Sequence, residues 1–277
     1  MLTRLTLALV ASSVVASTAV LANHHMESAK VSPALKAAVA AKTRTPANVA
    51  RDRHRNPAET LAFFGIKPTH TVVEIWPGGG WYTEILAPYL AGQGKLIVAP
   101  PTGQYAARYL AKLDADPATY GKLTRANFPA ALGGTPVAPG TADAVVTFRN
   151  VHNWRMGSGS PDKADYSEAA FRELFAMLKP GGVLGIEDHR LPDDADAERE
   201  RSSGYIKVST VRAMAEKVGF RFVASSEINA NPRDTKDYPK GVWTLSPNFV
   251  EGDTDRAKFA AIGESDRMTL KFVKPAS

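Results

Sequence analysis

A chain of 277 residues, 44% apolar and 22% charged, has room for one large domain or two small ones and the composition of a globular protein. Its formal charge of +6 is scattered; the densest basic stretch, Arg51-Asp52-Arg53-His54-Arg55, is short, holds an acid and lacks interleaved aromatics, so no nucleic-acid partner is expected. The absence of cysteine excludes disulfides, thiolate metal sites, cysteine nucleophiles and a lipid anchor on a terminal cysteine.

In chain order, Met1-Leu2-Thr3-Arg4 is a short positive start, Leu5 to Leu21 is apolar with small residues, and Val20-Leu21-Ala22 fits a small-residue cleavage site. The pattern predicts a secretory signal peptide over 1–22, cut after Ala22, and hence a periplasmic or secreted chain of about +5 once Arg4 is gone. An uncleaved anchor is the alternative, and no later run is apolar enough to span a bilayer. Residues 23–56 read as an N-terminal segment, with a helix over Pro33–Lys42. Residues 57–277 read as the main domain, opening with a helix at Pro57 that Gly65 stops.

Strands and helices then alternate. Strands are predicted at Thr71–Trp76, Lys95–Ala99, Leu123–Ala126, Ala144–Phe148, Val183–Glu187, Phe222–Ile228 and Met268–Val273. Helices are predicted at Tyr82–Leu90 (kinked near Pro88), Tyr105–Leu113, Ser167–Leu178 and Val211–Val218, the last capped by Ser209 or Thr210. Phe171, Leu174, Phe175 and Leu178 make one apolar stripe on the third of these. Loops are expected at Pro129–Thr141 and, charged, at Asp193–Arg201. Alternation of this kind predicts an α/β fold, an open and mostly parallel sheet with helices on both faces. Such sheets bind ligands beyond the carboxyl ends of their strands.

The first strand runs into Pro77-Gly78-Gly79-Gly80 and then a helix, an arrangement that offers bare backbone N–H groups at a helix start and lets a ligand approach closely. Glu74 precedes this turn. Later come Arg149-Asn150-Val151-His152-Asn153-Trp154, after the fourth strand, and Leu178-Lys179-Pro180-Gly181-Gly182, before the fifth. The order resembles the class I S-adenosylmethionine-dependent methyltransferases. It is closest to an exported, predicted subgroup marked by Glu74–Tyr82, Arg149–His152 and the late Gly263-Glu-Ser-Asp-Arg-Met268. The resemblance covers about residues 45 to 275. It implies a Rossmann-like sheet with one antiparallel strand, S-adenosylmethionine as cofactor, and methyl transfer to a small or surface-displayed acceptor. Carried over, Gly78 and Gly80 would line the methionine part of the cofactor, with Pro77, Gly79, Trp81 and Asn150 around it. Glu74 would support the turn or reach the amino group through water, and Asn127 would meet the adenine edge. Two positions depart from the family: Ala99-Pro100-Pro101 offers no acid for the ribose hydroxyls, and Trp76 stands where many members have glycine, either to stack on a ring or to fill space.

His152 and His189 follow adjacent strands and are expected in one crevice, accompanied by Asn153 and Arg190. Either imidazole suits a general base. Alternatively the two histidines and a carboxylate (Glu187, Asp188 or Glu74) would ligate a divalent metal, zinc or iron. His24-His25, His54 and His70 form no such pattern. Arg267 would close the pocket on an acidic substrate group, or pair with Asp266 on the surface. Gly241–Thr244 would contribute to a lid.

Overall fold

The computed structural model describes residues 30–276; the expected signal peptide and His24-His25 lie outside them. Three pieces of the N-terminal segment come first: α1 (Pro33–Val39), α2 (Pro46–Val49) and a single 3-10 turn over Asp52–His54. The domain follows as α3 (Pro57–Phe64), β1 (Thr71–Ile75), α4 (Thr83–Leu90), β2 (Lys95–Ala99), α5 (Gln104–Ala115), α6 (Pro117–Tyr120), β3 (Thr124–Arg125) and β4 (Ala142–Phe148). It continues through α7 (Val151–Arg155), α8 (Ser167–Met177), β5 (Leu178–Leu191), β6 (Ile206–Lys207), α9 (Val208–Lys217), β7 (Arg221–Ser226), α10 (Arg256–Ile262) and β8 (Arg267–Val273).

The sheet order is β3-β2-β1-β4-β5-β8-β7, with β6 added beside the end of β5. β8 runs antiparallel to both of its neighbours, and the pairs β1–β2, β1–β4, β2–β3 and β4–β5 are parallel. The expected mostly parallel sheet with one antiparallel strand is therefore present. Alternation along the strands feeds two cores. Val73, Ile75 and Val145 face α8 and α9 through Phe171, Leu174 and Val211; Val72, Ala144 and Val146 face α1, α3 and α4 through Leu35, Leu61 and Ile85. Among the described residues no helix is long and apolar enough to cross a membrane.

Several local expectations change. α9 starts at Val208, and neither Ser209 nor Thr210 caps it; Asp193 does so from outside, accepting from the Ser209 backbone N–H at 3.1 Å and hydroxyl at 2.5 Å. The Pro180-Gly181-Gly182 turn interrupts a longer strand: Leu178 pairs with Ala142, the next four residues loop out with Gly181 at φ 77°, and Val183 resumes opposite Ala144. The charged stretch after β5 contains a 3-10 turn over Ala197–Arg201. α7, β6 and α10 were not anticipated.

Residues 30–56 pack onto the domain. Thr45 donates to Glu84 of α4 through its backbone at 3.0 Å and its hydroxyl at 2.5 Å, and the Trp81 indole N–H donates to the Asn48 carbonyl at 2.8 Å. The close approach of α3 to β5 depends on Gly185, where a Cβ would meet the Phe64 ring at 2.6 Å. Gly185→Ala should therefore cost roughly 1–3 kcal/mol through overpacking. Thermal denaturation should show a melting temperature lower by several degrees, and an unchanged value would mean that Phe64 moves aside freely.

Candidate active site

The carboxyl ends of β1, β4 and β5 open into a crevice of two adjoining chambers that hold about 290 and 480 Å3, comparable together to small-molecule sites. Both chambers touch Trp76, Gly78, Asn150 and Asn153. The first is also lined by Glu74, Pro77, Gly79, Trp81, His152 and His189, so most of the anticipated residues are brought together. The second has a mostly apolar wall of Pro100, Pro101, Tyr109, Phe128 and Leu132.

Trp76 divides the chambers. Its φ of 48° lies in the left-handed region, which suits glycine, so a tryptophan there needs holding. Its indole N–H donates to the Phe128 carbonyl at 2.8 Å, and its ring meets Trp154 edge-on at 6.3 Å. The side chain is thus fixed by packing while it forms a wall. Asn150 braces the same corner, its amide donating to the carbonyls of Ile75 (3.1 Å) and Trp76 (3.2 Å) and to the Thr147 hydroxyl (3.0 Å). The NH2 group of that amide holds the strand ends together.

At the glycine turn, Gly78 has φ 58°, and Cβ positions at Gly78 and Gly79 face open space. Gly80 differs: it is turned toward α5, where a Cβ would meet Tyr109 at 3.0 Å, and it does not line the crevice. Lys112 donates to the Gly79 carbonyl at 3.1 Å and steadies the turn. Buried Glu74 accepts the Thr83 hydroxyl at 2.6 Å. Burial pushes its carboxyl up to about 7, against the Thr83 hydrogen bond and Lys112. Glu74 is thus tied to Thr83, the first residue of α4, just after the turn. Asn127 lines neither chamber; its neighbour Phe128 does.

The histidines meet as expected, their ring centres 5.0 Å apart. α7 exposes neither His152 nor Trp154, because its first turn is tied to β5: Asp188, fully buried, accepts from the His152 backbone N–H at 3.1 Å and from the His189 backbone N–H at 2.7 Å. Its carboxylate also lies 2.6 Å from His152 Nδ1. A carboxylate only accepts, so the proton of the uncharged tautomer sits on Nδ1, which leaves the lone pair on Nε2. His189 Nδ1 lies 2.5 Å from the Ser265 hydroxyl. Burial, then His152 and Arg149, push the His189 imidazole well below its ordinary range, so it is neutral near pH 7.

Two anticipated residues belong elsewhere. Arg190 turns out of this crevice into bonds with Asp266 (2.8 and 3.0 Å) and Glu227 (2.8 Å). Glu187 is outside the cluster of ligand-capable atoms that His152, Asp188 and His189 form. Glu187 instead accepts from Arg267 at 2.9 Å and Tyr82 at 3.3 Å. The carboxylate of the histidine cluster is Asp188. Trp81 lines the crevice as a floor under the guanidinium of Arg55, 4.9 Å from its ring centre. Val242 and Trp243 also line the first chamber.

The arginines were not anticipated as a group. Arg51, Arg55 and Arg149 line the first chamber, and Glu264 and Ser265 join them from the connection between α10 and β8. Glu264 accepts from Arg51 at 2.6 Å and Arg55 at 3.0 Å and lies 3.3 Å from Arg267. Arg267 is buried, not superficial, and also donates to the His54 carbonyl. The sequence signal was the Gly263–Met268 motif. Its Glu264 holds arginines, Ser265 holds His189, Asp266 holds Arg190 and Arg267 holds Glu187.

Burial acts to raise the Glu264 carboxyl, but Arg55, Arg267, Arg149 and Arg51 outweigh it and hold the group at about 2. A depressed carboxyl stabilises the fold above its unfolded value, and that stability is lost as pH falls from about 4.5 toward 2, up to roughly 3 kcal/mol in all. Glu264→Gln should lower the melting temperature at pH 7 and flatten its dependence on pH over that acid window. A parallel decline in both proteins would show that the cluster contributes no acid sensitivity.

No protein-family model and no curated protein matches the chain. Solved structures do. A putative sarcosine dimethylglycine methyltransferase from Galdieria sulphuraria aligns with TM-score 0.56 at 15% identity, over 83% of this chain and 87% of that one. An S-adenosylmethionine-dependent methyltransferase from Aquifex aeolicus aligns with TM-score 0.54 at 15% identity, over 81% and 93%. The [4+2]-cyclase SpnF aligns with TM-score 0.56 at 13% identity, over 88% and 92%. The chain has the fold of the class I S-adenosylmethionine-dependent methyltransferases.

Proposed function

We propose that the protein is an exported S-adenosylmethionine-dependent methyltransferase acting on a small or surface-displayed acceptor. One observation carries the reading: the open glycine turn and the Asp188-held imidazole of His152 share one crevice at the strand ends of this fold. Export rests on the N-terminal residues 1–22.

The residues fit the cofactor at one end more than at the other. Gly78 and Gly79 leave a cradle that any side chain would fill, and Trp76, Phe128 and the two prolines suit a flat ring. No carboxylate stands after β2 to take ribose hydroxyls, so that end relies on apolar contact. When bound, the cofactor supplies an electrophilic methyl group on a sulfonium. The chain's part is to hold the acceptor and remove its proton. Nε2 of His152 takes the proton of an acceptor hydroxyl or amine, and Asp188 stabilises the resulting imidazolium. His189, uncharged and held by Ser265, packs beside the base without competing for the proton.

Calorimetric titration of the chain from Asn23 onward with S-adenosylmethionine and S-adenosylhomocysteine should show micromolar binding. Gly79→Val fills the cradle without the positive φ that complicates Gly78, and should weaken binding tenfold or more in a protein of unchanged circular dichroism. Gly78→Val should do the same. Unchanged affinity in both variants would sink the cofactor assignment. Once an acceptor is found, His152→Gln should lower turnover by about 100- to 10,000-fold while leaving S-adenosylhomocysteine affinity within twofold.

A second reading has its own observation: ligand-capable atoms of His152, Asp188 and His189 lie within 4.8 Å of one another. Metal-assisted hydrolysis or elimination would use zinc or iron there. Elemental analysis decides. Stoichiometric metal that disappears in His152→Ala supports this reading, and metal-free protein, or metal retained in the variant, removes it.

A further inference from the structure

We propose that the arginines of the first chamber form a subsite for an oxyanion, the phosphate or carboxylate group of a small acceptor. Arg51, Arg55 and Arg149 line the chamber with Arg267 beside them, and the ion pairs these four guanidinium groups form among the described residues go to two carboxylates, Glu264 and Glu187. Guanidinium groups thus outnumber the carboxylates that pair with them, and partly buried positive charge without a partner favours an anion that completes the cluster.

The donors that would receive the anion are identifiable. Arg55 is 1% exposed and spends its Nε on Glu264, while its Nη2 is buried without a hydrogen-bond partner among the described residues. Arg51 likewise binds Glu264 through Nε and leaves its Nη2 buried and unpartnered. Arg149 lines the same chamber and forms no ion pair among the described residues. Its backbone is held with φ at 62°, and its N–H donates to the Glu187 carbonyl at 2.6 Å, which sets the point from which the side chain leaves β4. Planar guanidinium forks match the two oxygens of a carboxylate or phosphate.

His152 and His189 line the chamber with these arginines. An acceptor anchored by its anionic end would therefore place a hydroxyl or amine on the same molecule near the base. That it is an acceptor rests on the methyl-transfer reading; that an oxyanion binds does not.

The probe is inorganic phosphate, titrated calorimetrically into the chain from Asn23 onward at constant ionic strength, with malonate as the carboxylate probe and chloride as the control. Phosphate or malonate should bind with a dissociation constant at least tenfold below that of chloride. Arg149→Met should weaken it tenfold or more. Arg51→Gln, at the rim, should weaken it severalfold and serves if the first variant does not fold. Binding should persist when the protein is saturated with S-adenosylhomocysteine. No selective binding by the wild type, or equal binding by both variants, overturns the proposal. So does displacement by S-adenosylhomocysteine, which would assign the arginines to that molecule's own carboxylate. Phosphate binding in a protein that ignores S-adenosylhomocysteine would uphold the oxyanion subsite while removing the methyl-transfer reading.

Discussion

Glu264 is the carboxylate on which the closure of the crevice depends. It is 3% exposed, and it accepts from Arg51 and Arg55 of the N-terminal segment while lying 3.3 Å from Arg267 of the closing strand. Burying such a charge is costly unless its lone pairs are satisfied, and here guanidinium groups satisfy them. The same contacts decide where residues 44–56 sit, because those residues have little regular structure of their own: α2 has four residues and the turn after it three. A basic run that composition alone would place on the surface is thereby turned inward. The N-terminal segment is part of the site wall, attached by charge at Glu264 and by hydrogen bonds at Glu84 and Asn48.

The opposite wall is set by backbone conformation. A non-glycine residue in the left-handed region costs about 1–2 kcal/mol, and Trp76 accepts that cost where a glycine would not. Its large ring repays it through the hydrogen bond to Phe128 and the edge contact with Trp154, both of which a glycine lacks. The consequence is a divided crevice. Asn150 then ties β4 to the carbonyls on either side of the bend, so the division and the strand ends are one rigid unit.

The sheet was legible because its inner strands are buried on both faces and read as apolar runs, and because glycine and proline mark their ends. α8 was legible from its stripe. α7 was not: five residues, Val151–Arg155, make too little of a period, and what holds them is Asp188, 36 positions away from His152. The choice between Glu187 and Asp188 turned on a single step along β5. Successive side chains face opposite sides, and no pattern in the sequence says which side the histidine will approach. The arginine cluster was hidden for another reason. Its members come from positions 51, 55, 149 and 267, and only the antiparallel insertion of β8 beside β5 brings them to one point. The Gly263–Met268 motif was visible as a motif, but each of its four polar residues has a partner that only the fold reveals.

The two chambers divide recognition between different kinds of force. The second offers rings and prolines, so it can gain affinity by removing apolar area from water, about 25 cal/mol per Å2, but has no carboxylate to distinguish a hydroxylated sugar from one without hydroxyls. The first offers fixed charge, which contributes orientation and discrimination more than bulk affinity. A ligand that spans both is therefore positioned from the charged end. The base is built on the same side: His152 is oriented through Asp188 on β5, and the next residue of that strand, His189, is tied to Ser265, adjacent to Glu264. One strand thus fixes both the proton acceptor and the ring beside it, and a single pair of neighbouring residues just before β8 connects that ring to the arginines. A shift of the charge cluster would be felt at the imidazoles through two covalently adjacent side chains, with no long path between them.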